Sequence, residues 1–288
     1  MKRGKTLAII IMGAVAVSLL LFAVLRYAAA VADNRYTDPE GMVESYTDCG
    51  GARYYRINSG INNAYLVPLA DGWLLVDTGY PGDYGRFKKA LDVIGIEPAS
   101  IRWLFITHAH DEHAGFAAAL RKESGCRLIV PETSLEDLRA GRMVWKGRAI
   151  NRRIAFVSSL YNFVKRRDLR FPPVVPGPGD LILKGDAVDI SGSVGLRGTM
   201  MATPGHSPDS WSLLMSDGRA FCGDAAMNFL NILGADYRPI FVTDEARAYA
   251  SLEKLLRAGA VTFFTGHGPA FDKDRVEALL GRFYAGGE

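Results

Sequence analysis

Read from its amino terminus, the chain opens on an apolar run from Leu7 to Leu25 that no charged side chain interrupts, preceded by Lys2, Arg3 and Lys5 and closed by Arg26. At about 1.5 Å of helical rise per residue the run approaches the roughly 30 Å of a bilayer core, so it predicts a membrane-spanning helix. Residues 1–32 therefore read as a membrane anchor. The competing reading is a cleaved secretory signal with its small-residue site at Ala30-Val31-Ala32. Either way the positive end stays in the cytoplasm and the remainder is exported. The expected location is the cell membrane, single-pass with the folded part outside the cytoplasm, or secretion after cleavage near Ala32. Residues 33–52 are polar and turn-rich (DNRYTDPEG) and read as a stalk.

From residue 53 the periodicity changes. RYYRIN, NAYLVPL and GWLLVDTG read as strands, with Asp71-Gly72 as a hairpin signal. YGRFKKALDVIG sets Phe87, Leu91 and Ile94 on one helical face and ends at Gly95, a helix breaker. The strand IRWLFITH, the helix HAGFAAALRKESG and the strand CRLIVPE follow, so the polar cluster THAHDEH falls at the carboxyl end of a strand. Ligands bind there in alternating α/β folds. After the rigid PPVVPGPG turn the strand-rich style returns in LILKGDAVDI, VGLRGTMMATPGH, SWSLLMSDG and RAFCGDAAM. A helix (DEARAYASLEKLLRAG), a strand (VTFFTGHG) and a last helix (DRVEALLGRFY) close the chain. Two similar strand-then-helix halves predict an α/β, two-sheet sandwich with helices outside, spanning residues 53–288.

Composition narrows the class. With 288 residues, 49% of them hydrophobic, the chain can bury a sizeable core and is no disordered tail. Cys49, Cys126 and Cys222 form no CxxC pair, which excludes a zinc finger or ribbon and a disulfide scaffold. Cys222, in an apolar strand, is the expected buried thiol. Charge is uneven: the basic insertion at about 138–171 carries a net +9 inside a +3 protein, interleaved with Trp145, Phe156, Tyr161 and Phe163. Three readings stay open, namely a solvated helical insertion, a lid that draws in an anionic small-molecule substrate, and a basic surface resting on anionic lipid. Nucleic acid fits an exported domain poorly.

The chain has only five histidines, and His108, His110 and His113 fall within six residues of one another. In an extended stretch His108 and His110 point to one side, and a turn into a helix brings Glu112 and His113 back toward the same point. Crowding of this kind at a strand end reads as metal ligation rather than packing. The motifs THAHDEHAG, TPGHS, CGDA and TGHGP, beginning at Thr107, Thr203, Cys222 and Thr265, follow LLVDTG with its Asp77. In this order they resemble the metallo-beta-lactamase superfamily of metal-dependent hydrolases over roughly residues 53–270. The resemblance implies a four-layer αββα sandwich with two metal ions, zinc by expectation, in a cleft at the sheet edges. It implies His108, His110 and His206 around the first metal, and Glu112, His113 and His267 around the second. Asp224 would bridge the two, Asp224 and Glu112 would be the catalytic carboxylates, and Asp77 would support the site through hydrogen bonds.

Zinc-bound water has its pKa lowered from about 15.7 to near 7, so the expected chemistry is cleavage of an ester, lactone, thioester or phosphoester bond by metal-bound hydroxide. No G-x-S-x-G elbow competes with that reading. The family usually carries aspartate where this chain has Glu112, and the extra methylene leaves two readings of the second site: a full ligand set, or a weakened one serving a mononuclear enzyme. A metal-binding or sensor domain with little turnover is the alternative function. The bridging aspartate is typical of thioesterases, lactonases and phosphodiesterases of the family rather than of true beta-lactamases. Asp111 reads as a solvent-facing acid or helix cap, and Tyr237 or Tyr161 as a possible oxyanion donor.

Overall fold

The computed structural model describes residues 38–48, 50–144, 146–165 and 168–286, together with Met12, Gly13, Val15, Ser18 and Phe22. The expected anchor and its cleavage site otherwise lie outside the described residues, as does Cys49. Among the described residues no helix is long and apolar enough to cross a membrane.

The first sheet runs, in spatial order, β1 (Val43–Thr47), β2 (Arg53–Asn58), β3 (Asn63–Leu69), β4 (Gly72–Val76), β5 (Ile101–Phe105), β6 (Arg127–Pro131) and, past the two-residue β7 (Arg148–Ala149), β8 (Leu181–Leu183). The second runs β9 (Ala187–Asp189), β10 (Gly198–Ala202), β11 (Trp211–Met215), β12 (Arg219–Gly223), and then, past β13 (Phe241–Val242), β14 (Thr262–Thr265) and β15 (Phe271–Asp272). One buried cluster joins the sheets face to face, with Tyr65, Leu74 and Phe105 from the first against Met200, Leu213 and Phe221 from the second. A second cluster packs helices Tyr84–Val93 and Ala117–Ser124 on the outside of the first sheet through Phe87, Leu91 and Leu120. A third packs helices Glu245–Arg257 and Lys273–Tyr284 on the outside of the second through Leu252, Leu255 and Leu279. The layers are αββα.

Local chemistry explains the ends of these elements. Asp244 caps the helix Glu245–Arg257 by accepting from the Arg247 amide at 3.0 Å. Gly125, at φ 70°, closes the helix Ala117–Ser124 in the left-handed conformation. Cys222 is buried, and burial pushes its thiol up to about 12, so it packs as an inert small hydrophobe.

Three expectations change. The stretch read as a stalk contains β1, paired antiparallel to β2 with Val43 opposite Ile57, and Met42 is buried beside it. Polar composition misled there because an edge strand needs only one apolar face. The rigid PPVVPGPG turn does not divide the halves: β8 follows it and joins the first sheet parallel to β6, so the crossing to the second sheet falls at Lys184-Gly185. The helix expected over HAGFAAALRKESG is two pieces, Asp111–Ala114 and Ala117–Ser124.

Two parallel pairs aim the chemistry at one edge of the sandwich. Val76 of β4 pairs with Phe105 of β5, and Gly223 of β12 with Thr265 of β14. Asp77, the loop carrying His108, Asp224 and His267 all follow directly from those carboxyl ends. Phe221, fully buried between the sheets and stacked on Phe264 at 5.0 Å, is the test of this frame. Phe221→Ala should cost about 3–5 kcal/mol of unfolding free energy in urea titration.

Candidate metal centre

The site is built around the carboxylate of Asp77. Asp77 sits at φ 59°, a conformation a non-glycine residue holds only under constraint, and its amide donates to the Phe105 carbonyl at 2.8 Å. Its Oδ1 accepts from the Thr107 amide at 2.8 Å, and its Oδ2 accepts from the Thr107 hydroxyl at 2.9 Å. The same Oδ2 lies 2.8 Å from His113 Nδ1. The Thr107 hydroxyl, having donated its proton, accepts from His108 Nδ1 at 3.0 Å. One buried carboxylate thus fixes the tautomers of two imidazoles and leaves Nε2 of each facing inward. Backbone carbonyls do the same for two more: His206 Nδ1 donates to Phe241 at 2.8 Å and His267 Nδ1 to Ile61 at 2.5 Å.

The inward atoms converge. His108 Nε2 is 2.9 Å from His110 Nδ1, which is 3.2 Å from His206 Nε2. Ligand atoms of His108, His110, His206 and Asp224 lie within 4.8 Å of one another, and so do those of Glu112, His113, Asp224 and His267. Asp224 belongs to both groups, its Oδ2 3.5 Å from His206 Nε2 and 3.3 Å from His267 Nε2, its Oδ1 3.4 Å from His113 Nε2. All seven expected ligands are therefore brought together, and all are buried. Two close approaches require glycine: a Cβ on Gly223 would stand 2.5 Å from the Thr107 hydroxyl oxygen, and one on Gly266 would stand 2.7 Å from His113 Cε1.

The donor set fits divalent cations. Burial, then the neighbouring imidazoles, holds His108 well below its ordinary pKa, which keeps it neutral and able to donate a lone pair. Burial opposes the proton on His113 too, but the carboxylates of Asp224 and Asp77 outweigh it and hold His113 well above its ordinary value. His267 is raised in the same way by Asp224, and Asp224 is held low by His267 and His113 against the cost of its burial. His113 Nε2 and Asp224 Oδ1 are buried and, among the described residues, have no hydrogen-bond partner. Such orphaned atoms are costly in an apolar setting, and a cation between them removes the cost. Imidazole and carboxylate donors suit zinc.

Two clefts meet over this cluster. The larger, about 650 Å³, has His110, Glu112, His206, Asp224 and His267 along its floor. The smaller, about 380 Å³, shares His110 and His206 with it. The basic insertion supplies one wall of the larger cleft through Met143, Ala155, Ser158, Tyr161 and Leu169, and no described lining residue there is Lys or Arg. Arg152 and Arg153 are exposed, and Arg148 pairs with Glu245 at 3.0 Å. The insertion is tied in place by β7 pairing with β13 and by Asn151 Nδ2 donating to the carbonyls of Leu233 and Gly234.

Other expectations are corrected. Asp111 does not face solvent and is not the cap: it is 1% exposed, in the first turn of the helix Asp111–Ala114, whose N-cap is His110. Tyr237 lies against Phe271 and under Arg275, away from the cleft, whereas Tyr161 lines it. Positioning residues outside the motifs also emerge. Asn63 Nδ2 donates to the carbonyls of Thr265 at 2.9 Å and Gly268 at 2.7 Å, and Asn62 Nδ2 to those of Thr78 and Glu112. Asp209 accepts from the amide of Ala109, between His108 and His110, at 2.9 Å. The only signal for the first pair was INNAY, two amides at the mouth of an apolar strand.

A family model described as the metallo-beta-lactamase superfamily matches residues 57–267. A beta-lactamase-like protein 2 homolog of Caenorhabditis elegans is 24% identical over 216 residues, 73% of this chain and 57% of that protein, so the chain spans little more than half of that relative. Among solved structures, the subclass B3 metallo-beta-lactamase BJP-1 of Bradyrhizobium japonicum is 24% identical with a TM-score of 0.51, covering 74% of each chain. A metallo-beta-lactamase family protein of Thermus thermophilus is 22% identical with a TM-score of 0.55, covering 84% of this chain and 79% of its own. These structural likenesses speak to the fold alone.

Asp77→Asn should weaken zinc binding about 10–100-fold, the usual loss when a ligand's supporting carboxylate goes. Because His113 and His267 hold their protons above the ordinary histidine range, a proton competes with the cation there until the pH exceeds the raised values. Zinc affinity should rise with pH, and titration calorimetry in buffers of differing ionisation enthalpy should register proton release.

Proposed function

Because the chain belongs to the metallo-beta-lactamase superfamily, we propose that it is a hydrolase whose edge site takes two divalent cations, zinc by its donors, and cleaves an ester, lactone, thioester or phosphoester bond. The observation that carries the reading is Asp224, shared between two four-residue groups that otherwise have no member in common. We assign His108, His110 and His206 to one cation, Glu112, His113 and His267 to the other, and Asp224 to both. Bound cations would supply a water activated near neutral pH and polarisation of the scissile oxygen.

The protein's own groups set the rest. Asp77, Thr107 and the carbonyls of Phe241 and Ile61 hold four imidazoles in the tautomer that presents Nε2 inward. Glu112 and Asp224, both buried and both lining the larger cleft, are the carboxylates we assign to the catalytic edge. Tyr161, which lines the same cleft, is the side chain we assign as a donor to charge developing on the substrate. Glu112 favours a second reading, a metal-binding or sensor domain with little turnover, because its longer side chain stands where the family carries aspartate. Export by the apolar run Leu7–Leu25 is part of the same proposal, resting on Lys2, Arg3 and Lys5 ahead of it.

The purified protein should bind two zinc ions and hydrolyse a chromogenic ester or phosphodiester. His110→Ala should lower kcat/KM by more than about a hundredfold, beyond the loss expected from a supporting residue. Zinc binding without turnover across such a panel would move the assignment to the sensor reading.

A further inference from the structure

The two clefts over the cluster differ in kind. The larger is walled by Met143, Ala155 and Leu169 from the insertion and by Phe229, Leu230 and Ile240 from the facing loop. Its volume of about 650 Å³ falls within the range of roughly 300–1,000 Å³ usual for small-molecule pockets. The smaller is polar and carries Glu136 and Asp137 with Lys146 and the buried Asp209. His110 and His206 line both, so the clefts meet at the cluster rather than beside it. The walls of the larger cleft are cross-linked by β7 with β13, by the Ile150 amide donating to the Ile240 carbonyl at 3.1 Å, and by Asn151. The apolar space is therefore formed before any ligand enters.

We propose that the substrate is an amphiphilic ester: an uncharged aliphatic acyl chain fills the larger cleft, a polar head that is not anionic occupies the smaller, and the scissile bond lies over His110 and His206. This rests on the hydrolase reading above. In the reaction, water oxygen bonds to the acyl carbon as the ester C–O bond breaks. The water proton passes to the leaving oxygen, which gives a fatty acid in the larger cleft and an alcohol in the smaller. The insertion is then a specificity wall, with its described arginines turned outward. The lining explains both preferences. Apolar walls gain from each methylene they cover. Three acids against one lysine in the smaller cleft repel an anionic head.

The test uses zinc-loaded full-length protein with p-nitrophenyl acetate, butyrate, hexanoate and octanoate. The value of kcat/KM should rise about two- to fourfold per added methylene, mainly through KM. Octanoyl glycerol should be cleaved at least about tenfold better than octanoyl glycerol phosphate. Ala155→Glu, at a position already open to the cleft, should abolish the chain-length gain, read as the ratio of kcat/KM for octanoate to that for acetate within the same variant; Ser158→Glu is the second variant should the first misfold. Independently of turnover, N-octylacetamide should bind the cation-free protein by calorimetry, and Ala155→Glu should weaken that binding at least about tenfold. Octylacetamide binding without hydrolysis of any ester would support the cleft and sink the hydrolase reading. Hydrolysis with no chain-length dependence and no octylacetamide binding, or a preference for the phosphate head, would overturn this proposal and leave the hydrolase reading standing.

Discussion

Everything at the histidine-rich edge depends on one buried carboxylate that belongs to neither group of candidate ligands. Asp77 takes a strained backbone conformation at the end of β4 and in return accepts from an amide, a hydroxyl and an imidazole. Through His113 it reaches one group of candidate ligands, and through Thr107 and His108 it reaches the other. An unpaired carboxylate at this depth would be strongly destabilising, and here both oxygens accept hydrogen bonds, three in all. The rule that a ligating imidazole needs a partner on its other nitrogen is met at four histidines, by a carboxylate, a hydroxyl and two backbone carbonyls.

The sandwich supplies the geometry in which that carboxylate can act. Parallel pairing of β4 with β5 and of β12 with β14 brings four chain ends to one edge. Asn63 stitches the first sheet to the Thr265–Gly268 turn of the second, while Trp211 donates its amide to the Thr107 carbonyl. Gly223 and Gly266 keep the backbone clear of Thr107, Asp224 and His113. Among the described residues the frame leaves His113 Nε2 and Asp224 Oδ1 buried without a hydrogen bond, facing each other at 3.4 Å, and a positive ion beside them relieves the structure.

Much of this was legible in the sequence, and the reason is local. The histidine cluster, the GD pair after β12 and the hairpin at Asp71-Gly72 each declare themselves within a few residues. The halves were legible as well, because alternating strand and helix patterns need no long-range information. Features that failed to show were relational. β1 looked like a polar stalk because its pairing partner β2 is what makes it a strand, and β8 was placed in the wrong half because parallel pairing with β6 leaves no mark on either segment alone. Asp111 looked exposed as one acid of a run, yet it is buried in the first turn of the helix Asp111–Ala114. The insertion advertised its charge, whereas the described residues it brings to the cleft wall are uncharged.

The central claim is a two-cation site held together by Asp224 and oriented by Asp77. It is tested most directly by anomalous scattering at the zinc edge from crystals of the zinc-loaded protein. Two peaks flanking the Asp224 carboxylate, one among His108, His110 and His206 and the other among Glu112, His113 and His267, are the predicted result. A single peak at saturating zinc, or a peak that leaves Asp224 unliganded, would contradict it.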